Sequence, residues 1–161
     1  MPDKPTRQPQ PRQPRIELSI PAQSEWVRVA RLTVAGVAAR QGFSIQAVED
    51  LKVAVSEAIN NAIQHGPASA DDEVPMVSIA LEPRPQGLWI VVTDGGRLEH
   101  ELSLDKPLPP TPQSDADLPE SGMGLLLIRS LMDRVELAGG SDADTSLKMW
   151  KALPRRESAR P

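Results

Sequence analysis

The clearest pattern of apolar and polar positions in the chain lies between Ile45 and Gly66. Val48, Leu51, Val55, Ala58 and Ala62 recur three and four residues apart, which predicts a long helix with one apolar stripe facing a core. Ser44 stands where its side chain can cap the start, and His65-Gly66-Pro67 ends the helix, since the residue before a proline avoids helical geometry. Before it, Trp26, Val29, Ala30, Thr33, Val34 and Val37 form a second helical stripe that Ser24 can cap and that closes near Gly42. Arg15 to Ile20 alternates polar and apolar side chains and then meets Pro21, which reads as a short edge strand.

The second half of the chain changes period. Val74 to Leu81 and Gly87 to Thr93 are β-rich runs joined by Pro-Arg-Pro-Gln-Gly, a hairpin pattern. Leu-Trp-Ile-Val-Val in the second run is nearly continuous in apolar character, as for a central strand covered on both faces. From Gly95 to Ser121 the chain is polar and rich in Pro, Ser and Asp, too long for an ordinary connection and suited to a lid, a binding loop or disorder. Gly122-Met123-Gly124 opens an apolar helix through Met132, and Val135 to Ala138 and Thr145 to Leu153 read as closing strands. Strands and helices are grouped rather than strictly alternating. That order predicts an α/β (α+β) two-layer sandwich with helices on one face of a mixed β-sheet.

Composition narrows the classes. The 161 residues suit one domain, expected at 15–153, with a disordered Pro-rich tail expected at 1–14 and a disordered charged tail at 154–161. The basic residues of the first tail serve solubility or touch an acidic partner. With no cysteine, disulfides and thiolate chemistry are excluded. A net charge of −4, a single Phe and no Tyr leave neither a basic footprint nor a stacking platform for nucleic acid. No run of about 18 apolar residues and no signal pattern is visible, so a cytoplasmic protein without membrane association is expected.

One row of polar side chains changes the picture. Glu57, Asn61 and His65 lie four apart on the long helix, roughly 100–120° from its apolar stripe. Alone, this column fits a solvated polar edge. Asp94-Gly95-Gly96 at a strand end fits a turn, Gly122-Met123-Gly124 a tight loop, and Thr145 plain β-propensity. All four in this order and spacing are harder to explain separately.

With these pieces in place the chain resembles the ATP-binding domain shared by gyrase-type ATPases, sensor histidine kinases and MutL, the Bergerat or histidine-kinase-like ATPase fold. Within that group it is most similar to the anti-sigma factor serine/threonine kinases of the RsbW and sporulation type. Ser56-Glu57-Ala58-Ile59-Asn60-Asn61-Ala62-Ile63-Gln64-His65-Gly66 and Gly122-Met123-Gly124-Leu125-Leu126-Leu127-Ile128-Arg129 carry the likeness, which spans about Ile16 to Leu153. The resemblance implies ATP and Mg²⁺ as cofactors, with Asn61 as magnesium ligand and Glu57 as general base toward a partner's serine or threonine. It implies that Asp94 accepts a hydrogen bond from the adenine amino group beside Gly96, with Thr145 supporting that site. Gly122 and Gly124 then bring backbone N–H groups toward the phosphates, and His65 either approaches them or simply closes its helix. Arg31 falls where these kinases contact a sigma factor, although a solvated helix arginine explains it as well.

The same resemblance implies a homodimer that holds a sigma factor, then exchanges it for an anti-sigma-factor antagonist and phosphorylates that antagonist on serine. Two positions depart from the family pattern. Leu98 replaces the last glycine of Asp-x-Gly-x-Gly, which stiffens or reshapes the start of the lid, and Asp144 precedes Thr145 where a glycine is usual. The altered lid keeps open an ATP-gated binding protein that transfers no phosphate. A kinase acting on a scaffold protein shares the same chemistry and differs only in partner.

Overall fold

The computed structural model describes residues 14–66, 74–95, 122–138 and 145–154. Most of the expected tails and of the lid, including Gly96 and Leu98, and Asp144 as well, lie outside the described residues. Strand β1 (Ile16–Pro21) leads through a 3₁₀ turn (Ser24–Trp26) into α1 (Val27–Gln41) and α2 (Ile45–His65). The hairpin β2 (Met76–Arg84) and β3 (Gly87–Asp94) follows, then α3 (Gly122–Leu131), β4 (Arg134–Ala138) and β5 (Ser146–Ala152).

The five strands form one sheet in the order β1-β2-β3-β5-β4, so β1 is an edge and β3 is central. The two-layer α/β arrangement is the expected one, but every pairing among these strands is antiparallel rather than mixed. The reason is parity: between β1 and β2 the chain climbs and descends two packed helices, so it re-enters the sheet from the end it left. A short helix–helix connection favours antiparallel neighbours, and Gly42-Phe43-Ser44 provides it. Gly42 takes φ 87°, and Phe43 N–H reaches the Ala38 carbonyl at 3.2 Å while Gly42 N–H reaches that of Ala39 at 3.0 Å. This Schellman closure needs a left-handed residue, which glycine adopts without a Cβ clash. Ser44 Oγ then accepts from Ala47 N–H at 3.2 Å and caps α2 as expected.

Ser24 does not cap α1; it opens the 3₁₀ turn, and Trp26 precedes the helix with no side-chain cap. The apolar phase of α1 shifts with it. Val27, Ala30, Val34 and Ala38 are the buried positions, whereas Trp26 and Val29 are about two-fifths exposed. α2 buries Leu51, Ala54, Val55, Ala58 and Ile59 against Val77, Ile79 and Leu81 of β2, Leu88, Ile90 and Val92 of β3, and Leu147 and Met149 of β5 in a single core cluster. Full burial of a Leu or Ile side chain contributes about 1.5–3 kcal/mol, so this face is what fixes α2 on the sheet.

Two polar clamps hold the ends. Gln41 Nε2 donates to the carbonyls of Arg84 and Gly87, both at 3.1 Å, pinning the β2–β3 turn under α1. That turn is tighter than expected, since Arg84 still pairs with Gly87 and only Pro85 and Gln86 lie between. At the other side Lys151 Nζ donates to the Leu131 carbonyl at 2.6 Å and sits 3.3 Å from Asp50 Oδ2, tying the last turn of α3 to β5 and α2. No helix among the described residues is long and apolar enough to cross a membrane.

Glycines test this packing. A Cβ on Gly87 meets the Lys151 carbonyl oxygen and the Trp150 ring inside van der Waals contact, whereas one on Gly36 in α1 meets nothing within 4 Å. In urea unfolding, Gly87→Ala is expected to lower stability by about 1–3 kcal/mol, the usual range for overpacking. Gly36→Ala is expected to raise it by roughly 0.5–1 kcal/mol, as for a glycine inside a helix.

Candidate functional site

The face of α2 next to the buried one opens into a cleft of about 360 Å³ between α2, α3 and the ends of β3 and β5. Its polar lining is Asn61, His65, Asp94 and Thr145; its apolar walls are Ala58, Ala62, Val92, Leu125, Leu137 and Leu147. Four residues singled out from the sequence therefore meet in one place. The chain brings them there because β3 ends at Asp94 beside the carboxyl end of α2, and Thr145 leads into β5 next to it.

Asp94 and Thr145 are bound reciprocally. Asp94 N–H donates to the Thr145 carbonyl at 3.1 Å, and Thr145 N–H donates to Asp94 Oδ1 at 2.5 Å. Asp94 is only 7% exposed, so its carboxylate is held by the backbone 51 residues downstream rather than left to rotate in water. One residue before and one after, Thr93 Oγ1 and Ser146 Oγ share a buried hydrogen bond at 2.8 Å. This second rung fixes the register of β3 on β5 at the cleft, since a one-residue slip would turn Asp94 to the opposite face. Thr145 itself is exposed at the mouth, just ahead of the strand it was expected to open.

Glu57 lies one turn before Asn61 on α2, outside the lining of the cleft, and both are partly buried. Its carboxylate and the Asn61 amide face the first turn of α3: an ideal Cβ on Gly124 would stand 3.1 Å from Glu57 Oε2 and 3.3 Å from Asn61 Oδ1. Gly122 is the first residue of that helix. His65, exposed in the last turn of α2, reaches the cleft wall. Gly96 lies outside the described residues.

Among the described residues, no three His, Asp or Glu side chains gather into a metal cage. The Asn61 amide on the cleft wall presents a hard oxygen donor, and Mg²⁺ held by few protein groups takes its other ligands from waters and phosphate oxygens. Asn61 fits that role.

Arg31 stands apart. It lines a second groove of about 490 Å³ on the outer side of the α1–α2 pair, with Ser24, Val27, Arg28, Leu32, Lys52, Ser56 and Asn60. Among the described residues neither Arg28 nor Arg31 is paired with a carboxylate, while Lys52 Nζ sits 2.7 Å from Glu49. Ser56 and Asn60 are the immediate neighbours of Glu57 and Asn61, so one helix separates groove from cleft by about 100° of turn.

Sequence reasoning missed three parts of this site. The Thr93–Ser146 rung and the leucine walls come from residues whose apolar or β character marked them as plain strand and helix positions. Gly66 was read as a helix stop, yet a Cβ there would press on the Ala62 carbonyl oxygen at 2.5 Å and touch Asp94 Cβ at 3.4 Å.

Comparison with known proteins gives the family. The family described as "Histidine kinase-like ATPase domain" matches residues 20–151. The chain is similar to the serine-protein kinase RsbW of Bacillus pumilus, 39% identical over 142 residues, covering 87% of this chain and 86% of that protein. It is 39% identical over 137 residues to the RsbW of Bacillus subtilis, covering 84% of each chain. It is 43% identical over 124 residues to that of Oceanobacillus iheyensis, covering 76% of this chain and 77% of the other. In fold it is similar to a solved chain holding the RsbU and RsbW domains of a Mycobacterium tuberculosis protein, with TM-score 0.58 and 19% identity, over 89% of this chain and 34% of that one. A cleft with an amide, a buried aspartate and a glycine-led helix, on a chain matched almost end to end, thus places this protein in the histidine kinase-like ATPase domain family and, within it, among the serine-protein kinases of the RsbW type.

Proposed function

We propose that this chain transfers the γ-phosphoryl group of ATP to a serine hydroxyl of an anti-sigma-factor antagonist, and that it holds a sigma factor as its other partner. The observation that carries the reading is the junction of α2 and α3, where a carboxylate and an amide stand one turn apart beside the nucleotide-sized cleft. The RsbW relatives give the kinase class; the residue roles come from the chemistry of each side chain.

The apolar walls Val92, Leu125, Leu137 and Leu147 take the adenine ring out of water, and Asp94, immobilised by Thr145, accepts from its amino group. Asn61 and the backbone at Gly122 and Gly124 face the phosphates. Mg²⁺ held by Asn61 supplies positive charge against the phosphate oxygens. Glu57 accepts the serine proton as the hydroxyl oxygen bonds to phosphorus. The bond from phosphorus to the bridging oxygen breaks, and ADP leaves with that electron pair. Phosphoryl transfer asks the protein mainly for position and charge, so a rigidly held α2 suits the task.

The partner surface follows from charge. The chain carries a net −4, yet the charged residues of α1 are Arg28, Arg31 and Arg40, with no carboxylate among them. The Arg28–Arg31–Lys52 groove favours an acidic segment of the partner, laid one helix face away from Glu57. The chain works as a cytoplasmic homodimer in this scheme.

Three variants test the scheme. Asn61→Ala is expected to lose Mg·ATP binding in calorimetry. Glu57→Ala should bind Mg·ATP normally and transfer phosphate to an antagonist about 10²–10⁴-fold more slowly, the usual share of a general base. If Glu57→Ala transfers at the wild-type rate, the base assignment falls. Arg31→Glu should slow association with the sigma factor by about tenfold at low salt, an electrostatic steering effect, while leaving ATP affinity unchanged.

A further inference from the structure

Gly124 occupies the first turn of α3 with ordinary negative φ; the glycines with positive φ among the described residues are Gly42 and Gly95. In that conformation alanine is the better helix former. What glycine offers at this position is therefore the missing Cβ. The three atoms nearest to an ideal Cβ there are Glu57 Oε2 at 3.1 Å, Asn61 Oδ1 at 3.3 Å and Asn61 Nδ2 at 3.4 Å. All are the free ends of the two side chains assigned above as base and magnesium ligand, and none is backbone.

The other close glycines differ. At Gly66 and Gly87 the nearest neighbour is a carbonyl oxygen, so an added methyl strains the fold itself. At Gly124 the same methyl meets flexible ends that turn aside. The cost falls first on their aim, with a smaller share on stability that offsets part of what alanine adds to the helix.

We propose that Gly124 is a positioning residue. Its bare Cα leaves the space in which the Glu57 carboxylate and Asn61 amide lie side by side, and the first turn of α3 acts as the wall that sets their rotamers. This inference rests on the kinase reading, and it differs from a role in presenting N–H groups to phosphates, because alanine keeps the N–H.

The test is Gly124→Ala in the full chain, alone and combined with changes at Glu57. The variant is expected to melt at or above the wild-type temperature. At saturating Mg·ATP its kcat for serine phosphorylation should fall severalfold, short of the roughly 10²-fold that a full ångström of misplacement costs, since the side-chain ends need move aside only slightly. Glu57→Asp, shorter by one methylene, gives the clearance back. It should cost activity when Gly124 is retained and clearly less in the Gly124→Ala background, a non-additive cycle. Additive losses, a wild-type kcat in Gly124→Ala, or an effect confined to KM for ATP would each overturn the proposal.

A second cycle needs no catalysis. Without nucleotide, Gly124→Ala should raise the melting temperature more in a Glu57→Ala background than in the wild type, because the crowded carboxylate is gone. Equal shifts in the two backgrounds would overturn the contact. If the wild type transferred no phosphate at all, the kinase reading would fall while this cycle still decided whether Gly124 holds Glu57.

Discussion

The structure depends on α2 being anchored on one face and open on the next. Leu51, Ala54, Val55 and Ile59 are completely buried, and Ala58 nearly so, which fixes the rotation of the helix about its axis. Glu57 and Asn61 inherit that rotation. A helix that rolled by one residue would carry them about 100° away, either into the core or out toward the α1 side. The apolar stripe is therefore as much a part of the site as the polar column, because it alone determines where the column points.

The opposite wall obeys a similar division. α3 is tied down at its carboxyl end, where Lys151 caps Leu131 and Asp133 bridges to β5 through Ala152 N–H at 2.7 Å. Its amino end carries Gly122 and Gly124, and the nearest atoms to a Cβ built on Gly124 are side-chain ends of α2. One end of the helix is thus tied to the fold, and the other faces the polar column. β3 repeats the pattern: Leu88, Ile90 and Val92 are core, and the strand ends in Asp94, the first position where a charged side chain meets the cleft.

The parts legible in the sequence were those set by local period. The α2 stripe, the continuous apolar run of β3 and the Ser44 cap all arise from neighbours within one or two turns. The phase of α1 was misread because Trp26, Val29 and Thr33 are as helical in spacing as Val27, Ala30 and Val34. Packing against the core selects the row Val27, Ala30 and Val34, and spacing alone does not carry that choice. Strand direction was illegible for the same kind of reason, since it follows from how two helices pack. The cleft residues were picked out one by one through motif spacing. Their mutual bonds were not, because the Asp94–Thr145 and Thr93–Ser146 rungs join positions more than fifty residues apart in the chain.

Small residues shape the cleft and its border: two alanines line it, and two glycines stand beside it. Ala58 and Ala62 form the floor on α2, and Gly66 and Gly124 stand at the places where a methyl group would touch Asp94, Glu57 or Asn61. Each position has an ordinary local explanation, in helix propensity for the alanines and in helix ends for the glycines, so a sequence pattern alone cannot separate clearance from convenience. The built Cβ separates them, because it shows what each missing atom would strike. At Gly66 that is backbone first and aspartate second; at Gly124 it is the ends of Glu57 and Asn61 alone. Small residues around this cleft therefore fall into two kinds. Those that face backbone keep the fold, and those that face the column keep its aim.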